Sequence, residues 1–482
     1  MSLPSFFRSR WAYPAVSVLL LAPCYWQPRI QAGDLSSHIY NSWLAQLVES
    51  GRAQGLIVVP QTTNVLFDLI LSGLFRTFGA EAAQRLAVSL AALVFIWGAF
   101  AFTAAVSGRR PWNLLPSIAM LAYGWVFHMG FFNFYIALGL CFWAMALLWE
   151  PKLWRVGISA ALLALAYLAH ALPVAWCVCL LAYLAVARSR PARLRAYATL
   201  AALLLMAAVR VAAMHALSGR WYPAQITKIT GADQVWVFGP KYGLALAGLL
   251  LVWGVLFLKL LQQWGPSSVL ASLPFHLFVV SAGGILILPS TVLIPGFLHS
   301  LVYIAERMSL AVGVAVCALL ASARPRALDR YAMLALAAVF FVFLYGDERA
   351  LNKFEDRLDG AVASLRPGQR VVSLVDDSDT RVNALTHMID RACVGRCYSY
   401  ANYEPSTRQF RLRAVADNRI VVRTYADSWA LQTGAYLVKP ADAPLYAVDL
   451  DGAGRMIVRE LKAGTLCGST HSKVLPDLIP AS

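Results

Sequence analysis

Residues 11–41 read WAYPAVSVLLLAPCYWQPRIQAGDLSSHIYN. An apolar run over 11–28 gives way to the polar stretch Gly33-Asp34-Leu35-Ser36-Ser37-His38-Ile39-Tyr40-Asn41. From there Leu35, Ile39, Trp43 and Leu47 recur at every fourth position, which is one apolar stripe of an α-helix. Asp34 stands where an N-cap belongs and Gly51 where a C-cap belongs. A run of spanning length followed by a one-sided helix predicts an anchor that leads into a helix lying in the membrane interface. A second apolar stretch after Thr63 (Val65, Leu66, Leu69, Ile70, Phe75) reads the same way. Pro23 in Leu21-Ala22-Pro23-Cys24 occupies the place where a lipoprotein cleavage site needs a small residue, so the run reads as uncleaved.

The composition extends that reading to most of the chain. Its 482 residues are 59% apolar and 14% charged, with a mean hydropathy of +0.61. A soluble domain carries about 45–50% apolar and about 25% charged residues. A single soluble globule, a disordered chain and a fibrous repeat are therefore excluded. The net charge of +16 is unevenly spread. Through Gly346 there are 23 Lys and Arg against 8 Asp and Glu; beyond it, 18 against 17. The excess sits at the ends of apolar runs, which marks orientation in a membrane and not a nucleic-acid-binding face.

Apolar runs lie near 11–28, 84–107, 113–128, 132–149, 155–171, 173–187, 196–216, 242–262, 267–288, 303–322 and 330–346. With Pro173 breaking one long run into two, these predict about 11 transmembrane helices. With the N-terminus inside, the inner loops collect Arg8, Arg10, Arg109, Arg110, Lys152, Arg155, Arg188, Arg190, Arg193, Arg195, Lys259, Arg324, Arg326 and Arg330, which are 14 of the 23 cations. The positive-inside rule then gives an N-in, C-out topology. The fold class expected is an all-α polytopic membrane protein, 1–346, with a small C-terminal α/β domain, 347–482, on the outer side. In that tail Arg370–Val375 reads as a strand, and Tyr446–Leu461, with Asp451-Gly452 at its centre, as a hairpin.

Five of the eight cysteines (Cys24, Cys141, Cys177, Cys179, Cys317) lie in spans and read as small packing residues. Cys393, Cys397 and Cys467 lie in the outer domain, where disulfides are allowed. Either Cys393 bridges Cys397 and leaves Cys467 over, or Cys467 pairs with one of them.

The membrane part has eight acids. Glu150 and Asp329 face inward on this topology; Asp34, Glu49, Asp68, Glu81, Asp233 and Glu306 face outward. Chemistry at the outer surface must draw on these six or on an acid of the tail. Asp34 follows the first run directly, and His38 is one helical turn on, so both share a side. Asp34 either only caps its helix or acts as general base, alone or through a bound divalent cation.

One inner anchor, a long outer loop with an acid just after it, interfacial helices, many further spans and an outer C-terminal domain together resemble the C-type glycosyltransferase superfamily. The likeness covers about 1–346 and rests on topology and the short motif around Asp34. It implies transfer of a sugar from a polyprenyl-phosphate donor to a lipid, glycan or protein acceptor on the outer face, with Asp34 as base and His38 as its helper. Many members carry paired acids in this loop. Here Leu35 and Ser36 follow Asp34, so a lone base fits better than an adjacent-acid metal site. No cofactor is called for with certainty; a divalent cation, held by Asp34 if by any residue, is left open.

A phosphate leaving group at head-group level calls for arginine, whose planar fork matches it. Arg307 opens the tenth run in a segment where His299, Tyr303, Glu306 and Arg307 fall on one helical side, and Arg210 lies deeper in the seventh run. Asn41, His128, Asn133 and His170 lie at outer ends of spans or of the first loop and complete a candidate substrate cavity. Ala- and Arg-rich usage points to a bacterial inner membrane with the tail in the periplasm.

Overall fold

The computed structural model describes residues 9–298, 300–375 and 381–468. In chain order its elements are α1 Ala12–Leu20, α2 Leu35–Glu49, β1 Leu56–Val58, α3 Leu66–Ser107, α4 Leu115–Ala122, α5 Trp125–His128 and α6 Phe132–Leu148. Then come α7 Leu153–Ala169, α8 Ala171–Ser189, α9 Arg195–Met214, β2 Ser218–Arg220, α10 Tyr242–Trp264, α11 Pro266–Leu270, α12 Leu273–Ile287, β3 Thr291–Leu293, α13 Ile304–Leu320 and α14 Ala327–Ala363. The remainder is β4 Arg370–Ser373, α15 Met388–Cys393, β5 Tyr398–Ser399, α16 Tyr403–Thr407, β6 Leu412–Ala414, α17 Tyr425–Gln432, β7 Tyr436–Leu437, β8 Leu445–Leu450, β9 Met456–Leu461 and β10 Leu466–Cys467.

Among the described residues five helices are long and apolar enough to cross a membrane: Leu66–Ser107, Ala171–Ser189, Ala192–Met214, Tyr242–Trp264 and Ala327–Ala363. Phe132–Leu148, Leu153–Ala169 and Leu273–Ile287 are apolar but shorter. This is consistent with an integral membrane protein. Two expected spans take another form. In the run 11–28, α1 has nine residues, about 14 Å of helix, against a hydrocarbon core of about 30 Å. Pro23 and Pro28 follow, and neither continues a helix. The run 113–128 divides into α4 and α5 at Tyr123-Gly124. There a Cβ on Gly124 would lie 2.6 Å from the Gln234 carbonyl oxygen, so the close approach of the two backbones requires glycine. The break near Pro173 falls at His170; Pro173 sits in the first turn of α8, where a missing N–H costs nothing.

Contacts divide the chain into two units. The first comprises Met1–Ala22, Ser89–Phe127 and Phe132–Phe343; the second comprises Pro23–Val88, His128–Phe131 and Leu344–Ser482. In the first, Leu260, Val269, Leu319 and Ala323 form one buried cluster, and β2 pairs antiparallel with β3.

The second unit gathers the first loop and the tail. Its main sheet has the order β5-β4-β8-β9. β4 runs parallel to both β5 and β8, and β8–β9 is the expected hairpin, closed by Asp451 N–H donating to the Arg455 carbonyl. Val372, Tyr400, Val422, Leu431, Tyr436, Leu445 and Ala447 fill the core behind it. β1 of the first loop pairs with β6 of the tail.

In the same unit α2 is a core helix, with ten of its 15 residues buried, instead of the interfacial helix expected. Its polar edge is consumed by the tail. The Tyr40 hydroxyl accepts from Ser399 N–H at 2.9 Å, and the Asn41 side-chain oxygen accepts from Asn402 Nδ2 at 2.7 Å. Past Ser50 the helix ends as expected. Gly51 takes φ +72°, Gly51 N–H donates to Val48 O and Arg52 N–H donates to Leu47 O, the paired bonds of a glycine-ended helix.

Segment 26–31 is fixed by α14 within this unit. Glu348, Asn352, Glu355 and Asp359 recur at helical spacing on one side. Trp26 Nε1 donates to Glu348 at 2.6 Å. Asn352 exchanges hydrogen bonds with the Arg29 backbone at 3.0 Å each way. Gln31 donates to Glu355 at 2.7 Å, and Arg29 pairs with Asp356 at 2.7 Å and with Asp359. Arg391 of α15 makes a two-pronged pair with the buried Glu355, at 2.7 and 2.6 Å. Cys393 and Cys397 form the disulfide. Cys467 is buried and free, so the pairings that involve it are not formed.

Candidate functional site

Asp34 is set by backbone before any side chain acts. Gly33 N–H donates to the His128 carbonyl at 2.8 Å and Asp34 N–H to the Met129 carbonyl at 3.0 Å. The turn can come this close because residue 130 is glycine. Gly130 has φ +81°, and a Cβ there would lie 2.6 Å from Asp34 N. Asp34 occupies the N-cap position of α2, yet its side chain makes no capping bond. The carboxylate points elsewhere and keeps 24% of its side-chain surface exposed.

It points at a cluster of titratable groups. Asp34 Oδ1 lies 3.8 Å from His387 Nε2. His387 Nδ1 lies 3.0 Å from Asp390 Oδ2, and Ser399 Oγ donates to the other Asp390 oxygen. The Tyr403 ring stands 5.7 Å from the His387 ring, centroid to centroid. One turn along α2, His38 Nδ1 lies 2.6 Å from Asp68 Oδ1, with the Phe67 ring edge-on at 5.4 Å. Glu404, at the head of α16, is 9% exposed and feels the charges of His38, Asp68, Asp34 and His387.

The protonation states follow from these neighbours. Burial alone would push His38 down, but Asp68, through charge and hydrogen bond, with Glu404 and Asp34 behind it, raises His38 to about 9. Burial pushes the Glu404 carboxyl up to about 8; the two histidines oppose this, and Asp68 and Asp34 add to it. Burial and then Asp34, Glu404 and Asp390 hold the Tyr403 hydroxyl well above its ordinary value. His38 is therefore an imidazolium at neutral pH and Glu404 is largely protonated. An imidazole and a carboxyl that both hold their protons in one partly open cluster mark a candidate site for acid–base chemistry.

Of the residues expected in the site, Asp34 and His38 are brought into this cluster. Asn41 lies beside it, 6% exposed, and braces α2: it donates to Ser37 at 3.2 Å and accepts from Asn402. His128 is fully buried, with Nδ1 at 3.0 Å from the Gln31 carbonyl oxygen and Nε2 at 3.8 Å from Glu348. It holds the loop that carries Asp34 and does not line an open cavity. Asn133, in the first unit, is 4% exposed, so it too is packed away. His299 lies outside the described residues.

The other expected residues belong to the first unit. An apolar cavity of about 320 Å³ there is lined by Leu172, Trp176, Met206, Val209, Ala305 and Met308 among others. Arg210 follows Val209 on α9 and Arg307 precedes Met308 on α13, and neither is among the lining residues. His170 caps α8, its Nδ1 accepting from Leu172 N–H at 3.1 Å. Glu306 accepts from Ser290 Oγ at 2.5 Å and pairs with Lys228 at 3.6 Å. Among the described residues, Tyr303 does not share a helical side with Glu306 and Arg307. α13 starts at Ile304, and Tyr303 is left-handed at φ +58°, which turns the chain, with its ring 5.6 Å from Trp125.

Sequence reasoning missed His387, Asp390, Tyr403 and Glu404. Nothing local in Asn402-Tyr403-Glu404-Pro405-Ser406 connects it to Asp34. Asp68 was one of the six outward acids, with no sign of its pairing to His38. Among the described residues no three His, Cys, Asp or Glu side chains are arranged to hold a metal ion, and Asp68 is already bound to His38. Compared with family models, curated proteins and solved structures, the chain matches none.

Proposed function

We propose that this protein is an integral membrane glycosyltransferase that moves a sugar from a polyprenyl-phosphate donor to a lipid, glycan or protein acceptor at the outer face of a bacterial inner membrane, with about eleven membrane passages, N-in and C-out. The observation that carries the reading is Asp34: a carboxylate at a helix start that does not cap the helix, is part exposed, and faces two imidazoles. Asp34 takes the proton from the acceptor hydroxyl. The freed oxygen lone pair forms the new bond to the anomeric carbon, and the bond from that carbon to the phosphate oxygen breaks, its electron pair leaving with the polyprenyl phosphate. The imidazolium of His38, fixed by Asp68, keeps a positive charge in the cluster. For donor binding the support is the first unit's apolar cavity, a chemistry that suits an isoprenoid chain.

The test uses membranes from cells expressing the full chain, supplied with polyprenyl-phosphate-linked hexoses and pentoses. Release of free polyprenyl phosphate above that of vector-only membranes is the expected result. No release with any donor of the panel, from membranes that contain the folded chain, overturns the reading.

A further inference from the structure

We propose that a groove along the last turns of α3, within the first unit, binds an anionic phospholipid of the surrounding bilayer, with an acyl chain against α3 and the phosphate at Arg110. This stands on the membrane character of the helices and does not depend on the transferase reading.

The sequence of α3 lays the groove out. Leu93, Val94, Trp97, Phe100, Ala101 and Ala104 fall at helical spacing on one side of the helix, and all six line a cavity of about 680 Å³. From 93 to 104 the helix rises about 16 Å, and one leaflet supplies about 15 Å of hydrocarbon. α3 is among the helices long and apolar enough to cross a membrane, so a groove along it runs with the lipid chains. Tyr13 of α1 and Trp143 of α6 complete its walls.

The walls are pinned by bonds inside the protein. Trp97 Nε1 donates to Ser17 Oγ at 2.9 Å, which ties α3 to α1. Trp143 Nε1 donates to the Val94 carbonyl at 3.1 Å, which ties α6 to α3. The Tyr13 ring stands 5.1 Å from that of Trp97 and 6.4 Å from that of Phe100. With both indole donors spent, the walls offer a guest aromatic and aliphatic surface, which suits an acyl chain better than a sugar.

The charged residue of the lining is Arg110. It is exposed, and its guanidinium lies over the Tyr13 ring at 5.5 Å. That contact uses the face of the planar fork and leaves its edge, which carries the N–H donors, to an anion. Among the described residues no carboxylate pairs with it. The adjacent Arg109 donates to the carbonyls of Ala321 and Ala323 and keeps its charge, so two cations mark this end of the groove. A cation at the head of a leaflet-long apolar groove is complementary to a phosphate that carries an acyl chain.

Purified full chain in detergent is titrated by native mass spectrometry with dioleoyl phosphatidylglycerol and, separately, with dioleoyl phosphatidylcholine, which has the same chains and a zwitterionic head group. Phosphatidylglycerol should bind about five-fold more tightly, the preference that one cation near the surface gives. Arg110→Gln should abolish the preference, and Arg110→Lys, which keeps the charge, should retain it. Ala104→Phe should weaken both lipids, because it fills the groove and leaves its mouth intact. The variants are compared at wild-type elution volume and melting temperature. Equal binding of the two lipids by the wild type, an undiminished preference in Arg110→Gln, or wild-type binding by Ala104→Phe overturns the proposal. Millimolar inorganic phosphate should not displace phosphatidylglycerol; displacement would mean a phosphate site without a chain pocket. Tighter binding of a polyprenyl phosphate would make the groove an isoprenoid site. Either result also overturns the proposal.

Discussion

Replacing Asp68 with Asn removes the carboxylate that keeps the His38 proton in place, 2.6 Å away. His38 is raised from 6.5 to about 9 in the folded protein. At about 1.36 kcal/mol per pKa unit, the folded state gains on the order of 3 kcal/mol from holding that proton. A base with a raised folded pKa binds its proton more tightly folded than unfolded. Its contribution is therefore complete below about pH 6.5 and is lost as pH rises through about 9. Glu404 acts in the same direction: an acid raised to about 8 keeps, when folded, a proton that the unfolded chain releases, so stability falls as pH rises from about 4.5 to about 8. Wild-type protein should lose stability steadily from mildly acidic to alkaline pH. Asp68→Asn should be weaker by about 3 kcal/mol near pH 6 and should converge on wild type above about pH 9. The assay is denaturant unfolding in detergent micelles, followed by tryptophan fluorescence across that range. His38→Gln/Asp68→Asn together should cost less than the sum of the single changes, because each removes the same pair. An Asp68→Asn protein with wild-type stability near pH 6 and the wild-type pH slope would refute the reasoning.

Glu355→Ala removes the buried carboxylate that accepts from Arg391 and Gln31. Unfolding of the second unit should become easier by about 3–5 kcal/mol, read as a lowered denaturant midpoint; a loss under about 1 kcal/mol would count against that network. Gly130→Ala meets a positive φ and a 2.6 Å approach to Asp34 N. It should cost at least about 1–2 kcal/mol and lower polyprenyl phosphate release, whereas a neutral substitution would mean that this turn does not fix Asp34. On the proposed topology, an impermeant thiol reagent should label a single cysteine at the exposed position 463 from outside and one at the exposed position 190 only after permeabilisation. The reverse pattern would invert the orientation.

Local signals carried the parts of the structure that local forces determine. The period of Leu35, Ile39, Trp43 and Leu47 specifies α2, Gly51 its end, and Asp451-Gly452 the β8–β9 hairpin, because each depends on neighbouring residues alone. The change from apolar to mixed composition after Gly346 suggested a domain edge, but α14 runs on to Ala363. Backbone hydrogen bonding does not register that change, and the acids beyond it (Glu348, Glu355, Asp359) face segment 26–31. The burial of α2 was likewise illegible. Tyr40 and Asn41 belong to its polar stretch, and their partners Ser399 and Asn402 lie some 360 positions away in the chain. Asp34 was visible because few acids compete with it. His387, Asp390 and Glu404 were not, since the tail is rich in charge and only the fold selects these three.

The central claim is that the Asp34 carboxylate is the base for transfer from a polyprenyl-phosphate sugar. The direct measurement is the single-turnover rate of polyprenyl phosphate release by purified wild-type and Asp34→Asn protein in liposomes, at matched folding and donor occupancy. The account predicts that Asp34→Asn, which keeps the shape and removes the base, is slower by at least about 100-fold. An Asp34→Asn rate within a few-fold of wild type would contradict it.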